Sequence, residues 1–225
     1  MLVAGDLIKK CSITLKDTDF VRWTEDELLA YLDEAHREIA RIAVGSYVKT
    51  VVQDLVKGSK QALPADAFLL VSVVRNMTEL DEPCEPVRIT TRALLDSFEP
   101  HWHMCPQRRL VENYVYDDRT PGVYFVYPPN DGSGHVEVMY NAIPEKLTAT
   151  SDVLVLRNEF ETPLMMYVLY RAYCKDSDYS AGLQVASNYY QSYMTSLQHA
   201  TQSIGAKTPN TNLIKGAVKP NGGTE

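Results

Sequence analysis

Proline divides this chain into regions that can and cannot form long helices. Five prolines fall between residues 83 and 121, at Pro83, Pro86, Pro100, Pro106 and Pro121. A proline inside a helix removes a hydrogen bond and clashes with the preceding turn. Long helices are therefore confined to the chain on either side of this stretch.

The region from Gln61 to Pro144 has the pattern of strands and turns. Ala67 to Val74 is a continuous apolar run, and a short helix is predicted at Thr91 to Phe98. Three further strands are predicted at Val111 to Tyr116, Val123 to Tyr127 and Val136 to Tyr140. Pro128 to Gly134, rich in turn-forming residues, is predicted to join the last two strands as a hairpin loop.

The N-terminal helices are marked by a clear start signal. Thr24, followed three residues later by Glu27, forms a capping box. The helix that it opens has an apolar stripe at the spacing of one helical face: Leu28, Leu32, Ala35, Ile39 and Ile42. A shorter helix is predicted before it, from Val3 to Ser12.

Two further helices are predicted in the C-terminal third. Thr162 to Cys174 is apolar nearly all round and has Pro163 at a favoured first position. The second, Tyr179 to Ile204, carries one apolar stripe: Leu183, Ala186, Tyr190, Tyr193, Leu197, Ala200 and Ile204. Gly205 is a suitable residue to end it.

These elements predict an α+β fold. N-terminal helices (residues 3–44) and a C-terminal helical hairpin (162–204) form a helical bundle, with a small antiparallel β subdomain inserted at about 61–144. Residues 1–204 then make a single domain, and 205–225 an extended tail with too few apolar residues to form a core of its own. Within that tail Leu213, Ile214 and Val218 are spaced apolar anchors. This composition fits both a disordered terminus and a segment that becomes ordered on a partner.

The composition excludes several classes of function. The formal charge is −7, which argues against a surface that grips nucleic acid, since such surfaces cluster Lys and Arg. An acidic wall would still let DNA pass. No stretch has the roughly 20 apolar residues of a membrane span, and the N-terminus lacks a signal-peptide core, so a cytosolic protein is expected. Four scattered cysteines are expected to be reduced thiols.

Few residues suggest chemistry. His101, His103 and Cys105 alternate, but structural zinc usually has four ligands in paired motifs, and a loop with Trp102 packed inward is the preferred interpretation. Asp117, Asp118 and His135 would be the acid, base and imidazole of a small hydrolase, although both segments have ordinary turn compositions. We therefore assign no catalytic residue, no cofactor and no metal.

The last helices concentrate tyrosine and contain one arginine. Arg171 lies in the most apolar helix and is predicted to pair with an acid such as Asp176 or Glu159. Half or so of the helical tyrosines fit packing between the two helices. The others are candidates for a surface between copies of the chain, because tyrosine is favoured at interfaces; the candidates are Tyr189, Tyr190 and Tyr193.

Five sets of segments follow one another along the chain: Arg22 to Ala35, Gln61 to Asp66 with Val73 to Asn76, Tyr124 to Pro129, Tyr140 to Pro144 and Tyr167 to Asp176. In this order they resemble the head-to-tail adaptor proteins of tailed bacteriophages, and those of short-tailed phages in particular. The resemblance spans roughly Val3 to Leu197, and each motif concerns packing or a turn.

The resemblance implies a structural virion protein at the head–tail junction, assembled in the host cytoplasm. It implies a dodecameric ring beneath the portal that extends the DNA channel, through which double-stranded DNA passes without specific binding. The C-terminal tail would dock on the portal, and anchor spacing suggests Leu213, Ile214, Lys215 and Val218. Loops such as Pro83 to Pro86 and Pro128 to Gly134, including Asn130, Asp131 and Ser133, would face the tail tube or nozzle. A different tail completion or nozzle subunit is the alternative.

Overall fold

Helices and strands separate into two units along the chain. The computed structural model describes residues 1–175 and 180–206. One unit comprises Met1–Ser46 and the chain from Glu145 onward, and the other comprises Tyr47–Pro144. The helices are α1 (Ala4–Leu15), α2 (Glu25–Ile42), α3 (Arg92–Phe98), α4 (Glu161–Cys174) and α5 (Ser180–Ala206). The fold is mixed α+β, as the sequence predicts.

The strands are short and mostly antiparallel. In chain order they are β1 (Leu2–Val3), β2 (Val48–Asp54), β3 (Gly58–Ala62), β4 (Ala67–Met77), β5 (Pro83–Pro86), β6 (Arg88–Ile89), β7 (Asn113–Tyr116), β8 (Val123–Asn130), β9 (His135–Ala142) and β10 (Val153–Leu154). In the helical unit β1 pairs antiparallel with β10. The strand region begins at Val48, earlier than the predicted start at Gln61, because β2 and β3 were not recognised in the sequence.

The start of α2 is built as its sequence predicts. The Thr24 hydroxyl accepts a hydrogen bond from the backbone N–H of Glu27 at 3.3 Å, and Leu28, Leu32 and Ile39 are fully buried. The preceding loop is held by Asp17, whose carboxylate accepts hydrogen bonds from the N–H groups of Val21, Arg22 and Trp23. These bonds lower the pKa of Asp17.

Helix α4 is central to the helical unit, because it packs against α1, α2 and α5. Its Leu164, Val168 and Ala172 are buried, and the Ala172 carbonyl accepts a hydrogen bond from the indole N–H of Trp23 at 3.0 Å. The helix begins at Glu161, so Pro163 lies in its first turn rather than at its first position. A backbone N–H in the first turn has no acceptor within the helix, so proline loses no hydrogen bond at this position.

The second unit consists of two four-stranded sheets, in the orders β2-β9-β4-β5 and β3-β8-β7-β6. Strands β8 and β9 belong to different sheets, so the predicted hairpin between them is wrong. Their buried side chains, Tyr124 and Val126 from β8 and Val136 and Val138 from β9, contribute to one core between the sheets. The segment after Asn130 therefore carries the chain from one sheet to the other.

The outward face of the second sheet is covered by α3 and a short 3₁₀ turn, Trp102–Met104. Thr91 caps α3 by accepting a hydrogen bond from the N–H of Leu94. Trp102 is fully buried and forms a small second core with Leu95 and Val115, and its indole N–H donates to the Asp96 carboxylate at 2.8 Å. The inward Trp102 predicted from the sequence is confirmed.

Candidate functional site

Tyrosines pair across the contact between α4 and α5. Tyr167 meets Tyr193 edge to face with ring centroids 5.2 Å apart, and Tyr173 stacks on Tyr189 at 5.4 Å. A third pair, Tyr170 and Tyr190, has its centroids 5.1 Å apart. Aromatic pairs of this kind add to the stabilisation from area burial alone, so one role of these tyrosines is to join the two helices.

The three tyrosines assigned to a surface between copies differ in exposure. Tyr193 is 0% exposed, and its hydroxyl donates a hydrogen bond to Glu38 of α2 at 3.2 Å. Burial and the nearby Glu38 carboxylate raise its pKa. Tyr189 is half-buried, whereas Tyr190 is 43% exposed. Tyr193 therefore belongs to the interior of the helical unit, and Tyr190 is the most exposed of the three.

Arg171 forms a structural ion pair, but with a different acid from those suggested by the sequence. Its guanidinium donates to the Glu34 carboxylate of α2 and lies over the ring of Tyr31, 5.1 Å from its centroid. Asp176, one of the two predicted partners, lies outside the described residues. The pair joins α4 to α2 and involves no group placed for catalysis.

The segment from Asn130 to Gly134 is organised by a buried asparagine. Asn130 is 0% exposed, and its amide NH₂ donates to the carbonyls of Arg108 and Arg109 at 3.1 and 2.8 Å. Its amide oxygen accepts from the N–H groups of Gly132 and Gly134 at 2.8 and 3.2 Å. Asn130 therefore shapes this segment from inside and offers no surface to a partner.

Asp131 and Ser133 form the exposed tip of the same segment. The Asp131 carboxylate accepts hydrogen bonds from both the hydroxyl and the N–H of Ser133, at 2.7 and 2.9 Å. Those bonds lower the pKa of Asp131, so the tip carries a fixed negative charge at neutral pH. Of the three residues of this segment predicted to face the tail, these two are accessible.

The residues of the hydrolase alternative are not brought together. Asp117 and Asp118 follow β7 and precede the first residue of β8, whereas His135 follows its last residue. Strand β8, which separates them, has eight residues and spans roughly 23 Å at the usual rise of a strand. Asp117 pairs with Arg119 at 3.1 Å, and the His135 imidazole contacts Asp54 at 2.7 Å. The arrangement of these residues therefore gives the hydrolase alternative no support.

Within the His101, His103 and Cys105 series, His103 has a structural role. The His103 ring stacks on Trp102 with centroids 3.5 Å apart, and its Nδ1 is hydrogen-bonded to the Ser59 hydroxyl at 2.7 Å. Within residues 1–175 and 180–206, no group of three or more His, Cys, Asp or Glu side chains is arranged to hold a metal ion. The four cysteines are free, and burial raises the pKa of the Cys11 thiol to about 12.

A cleft of about 670 Å³ in the strand unit was not anticipated from the sequence. Asn76 and Val111 line it and bond to each other, the Val111 N–H donating to the Asn76 side chain at 2.9 Å. Its arginines have acidic neighbours: Arg108 is 3.1 Å from Glu112, and Arg109 is 3.7 Å from Glu79. The lining contains no nucleophile with a base beside it, so the cleft does not indicate an enzyme.

The proposed portal-docking residues Leu213, Ile214, Lys215 and Val218 lie outside the described residues. Helix α5 extends through Gly205 to Ala206, slightly beyond the end predicted from the sequence. No helix in the described part of the chain is long and apolar enough to cross a membrane.

Comparison with known proteins identifies a family. The family model described as SU10 adaptor protein matches residues 4–212, which is nearly the whole chain. A search of curated proteins finds no match.

Proposed function

Because the chain belongs to the SU10 adaptor protein family, we propose that it is a head-to-tail adaptor that joins the portal of a short-tailed bacteriophage to its tail. The match over residues 4–212 is the observation that carries this proposal. In this role the protein performs no bond chemistry. It forms a ring beneath the portal, serves as a platform for the tail tube or nozzle, and extends the channel through which DNA leaves the head.

The charge distribution supports this role. The chain has a formal charge of −7, and affinity for the DNA backbone comes largely from clustered Lys and Arg. A ring of such subunits would let the duplex slide without retaining it, because like charges repel. Around a ring the contacts are head to tail, so each copy needs two different complementary surfaces.

The C-terminal tail is the proposed portal hook. Residues 207–225 contain three lysines and one glutamate, a formal charge of +2, which leaves −9 on residues 1–206. Leu213, Ile214 and Val218 supply apolar anchors, and Lys215 a cation between them. A short segment with spaced anchors gives weak binding alone, but many copies on one ring sum to a strong attachment. At the opposite side of the ring, Asp131 and Ser133 are proposed to face the tail.

Removal of residues 207–225 tests the hook. We expect the protein ending at Ala206 to keep the helical content and unfolding midpoint of the full chain and to lose binding to purified portal rings, measured by co-sedimentation. A second variant, Leu213→Asn with Ile214→Asn, should lose binding in the same way, whereas Thr211→Ala should not. Normal portal binding by the truncated protein would show that the hook lies elsewhere.

The alternative virion role, a tail completion or nozzle subunit, predicts a different partner. Such a subunit would bind the tail and leave isolated portal rings unbound. Co-sedimentation of the full chain with each component separately distinguishes the two roles.

A further inference from the structure

Helix α5 has an unusual composition for the longest helix of an acidic protein. Its 27 residues, Ser180–Ala206, contain no Asp, Glu, Lys or Arg, whereas 23% of the whole chain is charged. Exposed helices normally carry charges for solubility, since about a quarter to a third of a typical surface is charged. The absence of charge from α5 therefore needs a physical reason.

Burial does not supply that reason, because between residues 182 and 203 the described side chains of α5 are covered on one side of the helix. Ala186, Tyr193, Leu197 and Ala200 are buried. The exposed side chains between residues 182 and 203 are serine, threonine, asparagine, glutamine, one histidine and three apolar residues. Helix α2 of the same unit shows the ordinary pattern, with Glu25, Asp26, Glu34 and Arg41 among its exposed positions.

The exposed side of α5 has a polar stripe and an apolar flank. The stripe consists of six side chains along one side of the helix, Asn188, Gln191, Ser192, Thr195, Ser196 and His199. Leu183, Tyr190 and Met194 are 53%, 43% and 45% exposed. Spacings of seven and four residues place these three together on the flank between the polar stripe and the covered side. We call the stripe residues and these three side chains together the α5 face.

The chemistry of the α5 face fits a protein partner rather than DNA. Interfaces between proteins are depleted in charge at their centre and enriched in aromatic residues and methionine, which matches Tyr190 and Met194. A DNA-binding surface gains its affinity from Lys and Arg that displace counterions, and the α5 face has neither. Its amides and hydroxyls both donate and accept hydrogen bonds.

The partner that best explains a complete absence of charge is a second copy of this chain. Residues 1–206 carry a formal charge of −9, so two copies repel each other. Contact through a charged surface would also bury unpaired charges, which is costly. A neutral, hydrogen-bonding face lets two acidic copies approach without either cost.

We propose that the α5 face is one of the two surfaces through which neighbouring copies of this chain contact each other. The inference rests on the proposed function in that a ring requires such contacts. It names the surface, which neither the family match nor the helical tyrosines taken alone identify. In a head-to-tail ring the α5 face meets a different patch of the neighbour.

Charge placed on the α5 face tests the proposal. The variant Ser192→Glu with Thr195→Glu puts two acids on the polar stripe, and Ser192→Asn with Thr195→Gln changes the same positions without charge. Ala30→Glu places an acid at an exposed position of α2 as a matched control. Light scattering over a range of concentrations, alone and with portal rings, measures assembly. We expect the double-acid variant to assemble only at a protein concentration at least ten times higher than the other proteins require.

The outcomes separate this inference from the proposed function. If the double-acid variant assembles like the control, or if the unmodified protein does not self-associate with or without portal, the α5 face is not a contact between copies. Portal binding through residues 207–225 is measured in a separate experiment, so its result does not depend on whether the α5 face is a contact between copies. Retention of a DNA duplex by Ser192→Lys with Thr195→Lys, together with normal assembly, would assign this face to the DNA channel and overturn the proposal.

Discussion

At the scale of single residues, His36 is the buried polar side chain with the clearest cost. It lies in α2, is 1% exposed, and neither ring nitrogen has a hydrogen-bond partner in the described part of the chain. Burial lowers the pKa of His36 to about 4, although the neighbouring Asp33 carboxylate acts in the opposite direction. The folded protein therefore holds this imidazole neutral.

The protein should lose stability in mild acid because of His36. In the unfolded chain a histidine binds a proton below about pH 6.5, and the folded state cannot do so until about pH 4. The free energy of unfolding is therefore highest above the unfolded pKa and decreases as the pH drops towards the folded pKa. The decrease is about 2 kcal/mol from pH 7 to pH 5. His36→Leu should remove this fall, as measured by urea unfolding at both pH values.

Exposed His101 provides the control for this measurement. His101→Gln should keep the pH dependence of the unmodified protein, because its imidazole is already in solvent. An equal loss of stability between pH 7 and pH 5 in His36→Leu and in the unmodified protein would contradict the account of His36.

The residue-level predictions from the sequence succeeded where a local pattern determined the outcome. Trp102 was predicted to pack inward, and Thr24 to cap α2, from their immediate neighbours. The partner of Arg171 was not predictable in this way, because Glu34 is 137 positions away in the chain and the pair depends on how α4 packs against α2. The sequence around Asn130 predicts an exposed turn residue, yet four hydrogen bonds hold its side chain in the interior of the strand unit.

At the scale of elements, the connection between β8 and β9 is the part of the fold that the sequence misrepresented. Two strands joined by a short segment rich in Pro, Gly and Asp usually form a hairpin. Here the strands enter different sheets, and both have alternating buried residues that suit either arrangement. The choice depends on pairing with β2, β3, β4 and β7, which are distant in the chain.

Gly134 tests the tight packing of this connection. A Cβ at this position would lie 2.3 Å from the Asn130 side-chain nitrogen and 2.4 Å from the Arg109 carbonyl oxygen. Since the backbone oxygen cannot simply rotate away, Gly134→Ala should destabilise the strand unit by about 1–3 kcal/mol. Thermal unfolding followed by circular dichroism measures the change.

Gly122 is the matched control, because a Cβ there would meet nothing within 4 Å. Gly122→Ala should unfold at nearly the same temperature as the unmodified protein. If both glycine variants melted alike, the buried network around Asn130 would not constrain the chain as described.

At the scale of the whole molecule, helix periodicity and proline positions were sufficient to predict helices on both sides of a strand region. They could not predict that the strands form two sheets facing each other, since sheet membership is set by long-range pairing. The functional surfaces were harder still. Tyr190 and Tyr193 occupy the same apolar stripe in the sequence, but packing against α2 and α4 buries one and leaves the other exposed.

The charge pattern links these scales. An acidic body, a basic C-terminal segment and one helix without charge are properties of the sequence, but their meaning depends on exposure. Only the structure distinguishes the covered side of α5 from the exposed one. In the proposed adaptor role, the arrangement of charged and uncharged surface is the part of the structure most closely related to function.

Electron microscopy of the full chain mixed with purified portal rings tests the adaptor function most directly. The account predicts an additional ring-shaped layer of density on one face of the portal, coaxial with its channel, and its absence with the protein ending at Ala206. Portal rings that look unchanged in the presence of a saturating excess of the full chain would contradict it.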